Sequence, residues 1–193
     1  MKSKILLIAA ILLLPTMIIA SPVKYGINGG VNYSTILSDE ADYDANLGFG
    51  IGGELTYSLS EKVVINSKAI INFRNSSKDF QVPKKIQRVI KQTSLDIPVT
   101  VGYKVSKKIF VLGGGYLGIP LNIKDEYIQS DISIESELKR NVDVGVILGA
   151  GYSLCDHVSL EFGYSFGLTD VITDKKENKL DGRNHSLTLS GTY

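Results

Sequence analysis

The chain has 193 residues with no linker or shift of composition to divide it, so it is read as one domain. A formal charge of +1 argues against nucleic acid as a partner, because phosphate binding needs a basic face. The single cysteine, Cys155, excludes an internal disulfide.

From the amino terminus, Lys2 and Lys4 precede an apolar run from Ile5 to Leu14, Pro15 breaks it, and Ala20 offers a small residue before Ser21. This order of positive head, apolar stretch and small residue predicts a cleaved secretory signal over residues 1–20 and a mature domain over residues 21–193. The apolar stretch is shorter than the ~20 residues of a spanning helix, and no cysteine stands near the cut for a lipid anchor. Losing Lys2 and Lys4 with the signal takes the charge from +1 to −1.

The mature region alternates with a period of two, the pattern of strands with unlike faces. In the first run Val23, Tyr25, Ile27, Val31 and Tyr33 oppose Lys24, Gly26, Asn28, Asn32 and Ser34. The second sets Leu47, Phe49, Ile51, Leu55 and Tyr57 against Asn46, Gly48, Gly50, Glu54 and Thr56. In the third, Val63, Ile65, Ala69, Ile71 and Phe73 oppose Asn66, Lys68, Asn72 and Arg74. The fourth places Leu95, Ile97, Val99, Val101 and Tyr103 opposite Asp96, Pro98, Thr100, Gly102 and Lys104. A fifth run, Ile109 to Leu121, has its phase blurred by Gly113, Gly114 and Gly115, and its faces stay unassigned. The sixth (Val142 to Ser153), seventh (Val158 to Leu168) and eighth (Asn184 to Tyr193) alternate cleanly.

Tight turns are expected at Ser60-Glu61, Ser106-Lys107 and Cys155-Asp156, and long polar loops over 35–45, 75–93, 122–140 and 169–183. Short and long connections therefore alternate. In an up-and-down barrel this gathers the short turns at one rim and the long loops at the other, as in bacterial outer-membrane barrels. Alternation alone does not say which face looks inward, since a soluble barrel alternates too. The polar face is rich in small residues that fit a narrow bore. It also mixes Glu54, Lys68, Arg74, Asp96, Lys104, Asp143 and Glu161, which can pair inside a lumen. Tyrosines and phenylalanines such as Tyr57, Phe73, Tyr103 and Tyr152 lie toward run ends, where interfacial girdles stand. A spanning sheet must close on itself to satisfy its backbone in hydrocarbon. The expectation is an all-β, eight-stranded antiparallel up-and-down transmembrane β-barrel in the outer membrane of a Gram-negative-type bacterium, surrounded by lipid and lipopolysaccharide.

Several segments resemble the PorT-like outer-membrane β-barrel domain family. The carrying residues are Leu95-Asp96-Ile97-Pro98-Val99, Gly113-Gly114-Gly115-Tyr116-Leu117-Gly118, Gly149-Ala150-Gly151-Tyr152 and Leu160-Glu161-Phe162-Gly163-Tyr164. The likeness covers nearly the whole mature chain through short motifs. It implies a fold and a location, but no shared active site. Some members serve protein secretion. The terminal Tyr193, in phase with Leu187 and Leu189, resembles the signal by which the carboxy-terminal strand engages the barrel-assembly machinery.

For chemistry, the lumen charges stand out. Counting back from Ser60-Glu61 places Glu54 across from Asn66 with Lys68 one inward position higher. A polar plug of Glu54, Lys68 and Glu161 follows, with Arg74 and Asp96 above it, since unpaired buried charges are costly. The sharper alternative is a gate in a narrow pore. His157 falls at a turn. His185 lies near the outer rim beside Ser186, which faces the opposite way and cannot pair with it as a nucleophile. Gly113 to Gly118 precedes no helix and cradles no phosphate. Asp39, Glu40, Asp42 and Asp44 read as a solvated loop before a calcium site, and the basic stretch Val82 to Lys91 as a loop able to touch lipopolysaccharide. No catalytic residue, cofactor or metal ligand is assigned. The leading expectation is a non-enzymatic barrel whose surface loops bind, adhere or serve envelope structure. A narrow transport pore or secretion-associated barrel is the alternative, and a lipid A-modifying enzyme comes below it.

Overall fold

The computed structural model describes residues 23–38, 44–81, 85–129, 132–137, 139–169, 172–173 and 182–193. The expected signal segment, residues 1–20, lies outside the described residues.

Eight strands form the wall: β1 Val23–Ser38, β2 Asp44–Ser58, β3 Val63–Gln81, β4 Lys85–Lys104, β5 Ile109–Gln129, β8 Asp143–Ser153, β9 Ser159–Gly167 and β11 Gly182–Thr192. Each pairs antiparallel with the next. β1 then pairs β11 over Asn28↔Thr192 to Ser38↔Gly182, which closes the ring. Three short strands lie off the wall: β6 Ile132–Glu137 pairs β5, while β7 Lys139–Arg140 and β10 Ile172–Thr173 pair each other. The expected eight-stranded antiparallel barrel is the observed fold.

The apolar faces point outward. Val31, Phe49, Val99, Leu148, Phe162 and Leu189 are exposed, whereas Asn28, Asn32, Glu54, Lys68, Asp96, Asp143 and Ser190 are buried. This inside-out distribution suits a barrel whose solvent is hydrocarbon, with every wall strand hydrogen-bonded on both sides.

The fifth run now has a phase. Leu112 and Tyr116 face inward and are buried, while Val111 and Leu117 face outward. The lumen is locally apolar here, and the neighbouring outward positions Gly113 and Gly115 carry no side chain, so a polar-in, apolar-out rule finds nothing to read. Glycine on the adjacent wall makes room for the ring: a Cβ on Gly145 would stand 2.7 Å from Tyr116 Cζ.

Two expectations need correction. The connections expected over 75–93 and 122–140 are largely hairpin strand. β3 runs to Gln81 and β4 begins at Lys85, while β5 continues to Gln129 and turns into β6. The first connection is also shorter, because β1 reaches Ser38 and β2 starts at Asp44. The backbone ladder continues through these segments, although their sequence lacks the clean alternation that marks the wall.

The second correction is in register. Glu54 stands across from Lys68, and Asn66 across from Thr56. The turn is longer than two residues: Leu59 N and Ser60 N both donate to Val63 O, at 2.9 and 3.1 Å. Ser60 Oγ accepts from Lys62 N at 3.3 Å and Val63 N at 3.1 Å. The same turn recurs at Val105–Ile109, where Ser106 Oγ accepts from Lys108 N and Ile109 N, and in backbone form at Leu154–Val158.

Candidate functional site

The lumen holds two charged layers. In the lower one Lys68 Nζ lies 3.4 Å from Glu54 Oε2 on the adjacent strand β2. It lies 2.5 Å from Glu161 Oε2 on β9, four strands away on either side of the eight-stranded ring. The Lys68–Glu161 contact therefore crosses the bore. Glu54 is further held by Thr192 Oγ1, which donates at 2.6 Å, and by Thr56 Oγ1 at 3.3 Å. Asn28 Nδ2 in turn donates to Thr192 Oγ1 at 2.8 Å.

In the upper layer Arg74 pairs with Asp96 and donates to Ser94 Oγ at 3.0 Å. Asn72 Nδ2 adds a bond to Asp96 Oδ2 at 2.7 Å. Asp143, the most deeply buried carboxylate at 1% exposure, accepts from Tyr116 OH at 3.1 Å and Asn184 Nδ2 at 2.8 Å. Neutral donors alone contact it among the described residues. The sequence marks Asp143 as facing inward, but not its partners: Tyr116 lies in the run without a readable phase, and Asn184 two wall strands away.

Among the described residues, two buried cations thus stand with four buried carboxylates, all within the wall. Between the layers lies a cavity of about 110 Å³, edged by Lys68, Glu161, Arg74 and Asp96 and walled on one side by Ile70, Pro98, Leu112 and Ile147. It is large enough for several water molecules at roughly 10–15 Å³ each. Asn32 Nδ2, Arg74 Nε and Asp96 Oδ1, on residues that line it, have no hydrogen-bond partner among the described residues.

The histidines are kept apart from these layers. His185 shares the outward face, covered edge-on by Phe166 at 4.6 Å between centroids, with its Nδ1 2.7 Å from Tyr164 OH. Ser34 points into the lumen and bonds Ser186 Oγ at 2.9 Å. A nucleophile–base pair of Ser34 and His185 would have to pass through the wall. His157 is exposed in the Leu154–Val158 turn. No cluster of three metal-ligating side chains occurs among the described residues, and Asp39, Glu40 and Asp42 lie outside them. At the closing seam Leu187, Leu189 and Tyr193 all face outward, and Tyr193 exchanges backbone hydrogen bonds with Ile27 at 2.7 and 3.0 Å.

A closed antiparallel wall with an apolar exterior and a polar, obstructed bore defines a small membrane-spanning outer-membrane barrel. The chain belongs to the outer membrane protein beta-barrel domain family, whose model matches residues 16–173. Solved structures share the fold. Ail, the attachment invasion locus protein of Yersinia pestis, is 14% identical with a TM-score of 0.53, covering 90% of this chain and 99% of its own. Neisserial surface protein A is 11% identical with a TM-score of 0.56, covering 88% and 97%. A further structure of Ail, with the heparin analogue sucrose octasulfate, is 14% identical with a TM-score of 0.50, covering 88% and 96%. Identities this low speak to the fold alone. No curated protein matches the chain.

Proposed function

We propose that this is a non-enzymatic barrel, an anchor whose outward hairpins bind a ligand at the cell surface or shield it, while its lumen is a structural plug. The observation that carries the reading is the Lys68–Glu161 contact across the bore, with the Arg74–Asp96 pair as a second obstruction above it. Eight strands leave room for side chains and little more. The strand extensions beyond the wall, β3–β4 to Gln81↔Lys85 and β5–β6 to Gln129↔Ile132, offer backbone that can vary without disturbing the barrel.

The finer assignments belong to the same proposal. Residues 1–20 act as a cleaved signal, and the outward row Leu187, Leu189 and Tyr193 engages the assembly machinery. The basic stretch Val82 to Lys91, of which residues 82–84 lie outside the described residues, meets anionic lipopolysaccharide. Kinship with PorT-like barrels rests on the short motifs of β4, β5, β8 and β9. That Ail has been solved with a heparin analogue makes a polyanion a sensible first ligand to try here.

The test is to replace residues 122–140 by a short turn. A folded barrel, shown by heat-dependent gel migration, should remain, and whole-cell capture of surface ligands should fall. Normal capture by the trimmed protein, with loss of activity in Glu54→Ala or Glu161→Ala, would move the work into the lumen. The second reading, a narrow pore, is favoured by the cavity between the layers. Planar-bilayer recording decides it: steady single-channel steps from the wild type would establish a pore.

A further inference from the structure

The turn rim carries its charge unevenly. Lys62, Lys104, Lys107 and Lys108 stand at the adjoining ends of β3, β4 and β5, all exposed, with Glu61 as the acidic residue within their turns. Lys104 N donates to Lys62 O at 2.8 Å, and Ser153 N to Lys108 O at 2.7 Å, so backbone bonds fix the two turns to each other and to β8. None of the four lysines forms an ion pair with a described carboxylate. The third turn, Leu154–Val158, carries Asp156 and His157 and no lysine.

Position decides what such a patch meets. Tyr103 and Tyr152 are exposed on the lipid-facing wall just inside these turns, at the level of the interfacial girdle. The Lys108 ammonium lies over the Tyr152 ring, 5.8 Å from its centroid, and so sits on the outer wall instead of over the mouth. Lysines at that depth lay their stems along apolar surface and hold the ammonium among headgroup phosphates.

We propose that the rim formed by the ends of β3, β4 and β5 is a binding site for the phosphate headgroup of an anionic phospholipid. Lys107 and Lys108 are its principal contacts, with Lys62 and Lys104 adding field. The proposal rests on the outer-membrane location, where short turns face the periplasm and the lipid is that of the inner leaflet. It is independent of what the hairpins on the opposite side bind. An exposed basic residue close to an anionic surface strengthens attachment by roughly five-fold, and salt weakens the effect by screening.

The experiment reconstitutes the purified barrel in nanodiscs of phosphatidylcholine mixed with phosphatidylglycerol, and reads co-retained lipid by native mass spectrometry. Phosphatidylglycerol should be retained in preference to phosphatidylcholine. Lys107→Gln/Lys108→Gln should lower that preference by about five-fold per lysine, with unchanged heat-dependent migration. Lys24→Gln, on β1 away from the patch, should leave it intact. An unaltered lipid ratio in the double variant would overturn the proposal. So would polyglutamate binding the rim in uncharged detergent and removing the lipid preference, since the patch would then serve an acidic soluble partner. A chain that fails to insert into the nanodisc at all would instead contradict the membrane-barrel reading itself.

Discussion

Lys68 is the perturbation with the largest calculable consequence. Its ammonium bridges two carboxylates from opposite walls, and all three side chains are nearly inaccessible. Lys68→Met keeps most of the volume and removes the charge, leaving Glu54 and Glu161 facing each other without a cation. Breaking a buried ion pair by deleting one partner costs about 3–5 kcal/mol. Glu54 retains the hydroxyls of Thr192 and Thr56, which soften its share, so the lower half of that range is expected. A second change, Glu161→Gln, makes the cause visible: the double variant should recover much of the loss, because the carboxylate deprived of its cation has gone. Urea titration in liposomes, followed by heat-dependent gel migration, measures all four members of the cycle. A Lys68→Met protein with the wild-type midpoint would refute the plug as an energetic unit. Additive losses in the double variant would show that Lys68 and Glu161 are neighbours without being coupled.

Three further outcomes can be stated. Val99→Arg puts a charge on the lipid-facing wall and should cost about 2–4 kcal/mol if Val99 lies near the midplane; a harmless substitution in the same titration would invert the faces. Gly145→Val should destabilise by about 1–3 kcal/mol, since a Cβ there clashes with both the Phe166 carbonyl oxygen and the Tyr116 ring; pairing it with Tyr116→Ala should relieve the ring's share in the same titration and leave the backbone clash. Cys155→Ser places the Ser60 and Ser106 residue type in the third turn, and should stabilise by about 0.5–1.5 kcal/mol through new side chain to backbone hydrogen bonds; a lowered midpoint would show that the Leu154–Val158 turn differs in more than backbone form.

The wall was legible because each face answers to a different solvent. Val31, Phe49 and Leu148 had to be apolar, and Asn28, Glu54 and Asp143 had to find partners, so period-two alternation marked both faces. β5 was illegible for the same reason. Its inward residues include Leu112 and Tyr116, which close an apolar side of the cavity, and the intervening glycines give no hydropathy signal. The extensions of β3–β4 and β5–β6 were read as loops because their sequence lacks a clean alternation, though the backbone pairing continues. The partners of Lys68 were foreseen in identity but misplaced along β2 and β3. Turn length fixes register, and Leu59–Val63 is longer than the Ser60-Glu61 pair suggests. That turn had a readable signal in the recurrence of Leu59-Ser60-Glu61-Lys62-Val63 as Val105-Ser106-Lys107-Lys108-Ile109 and Leu154-Cys155-Asp156-His157-Val158: apolar, small, polar, basic, β-branched.

The placement of the charged layers bears on where function can reside. Lys68 and Arg74 both spring from β3, six residues apart on the inward face, so one rigid strand supplies the cation of each layer. The acceptors differ. The lower carboxylates come from β2 and β9, on both sides of the bore, while Asp96 comes from β4 beside Arg74. Opening a path for a solute would require the Lys68–Glu161 contact to part. It would also require Arg74 and Tyr116 to leave positions held by Asp96, Ser94 and Asp143. Those contacts are anchored to a hydrogen-bonded wall with no described helix or loop inside the lumen able to move as a plug. The backbone of β3–β4 and β5–β6 is paired strand to strand, and its alteration leaves the ring closure between β1 and β11 untouched. Under the function proposed above, the surface hairpins are therefore tested for a ligand before the bore.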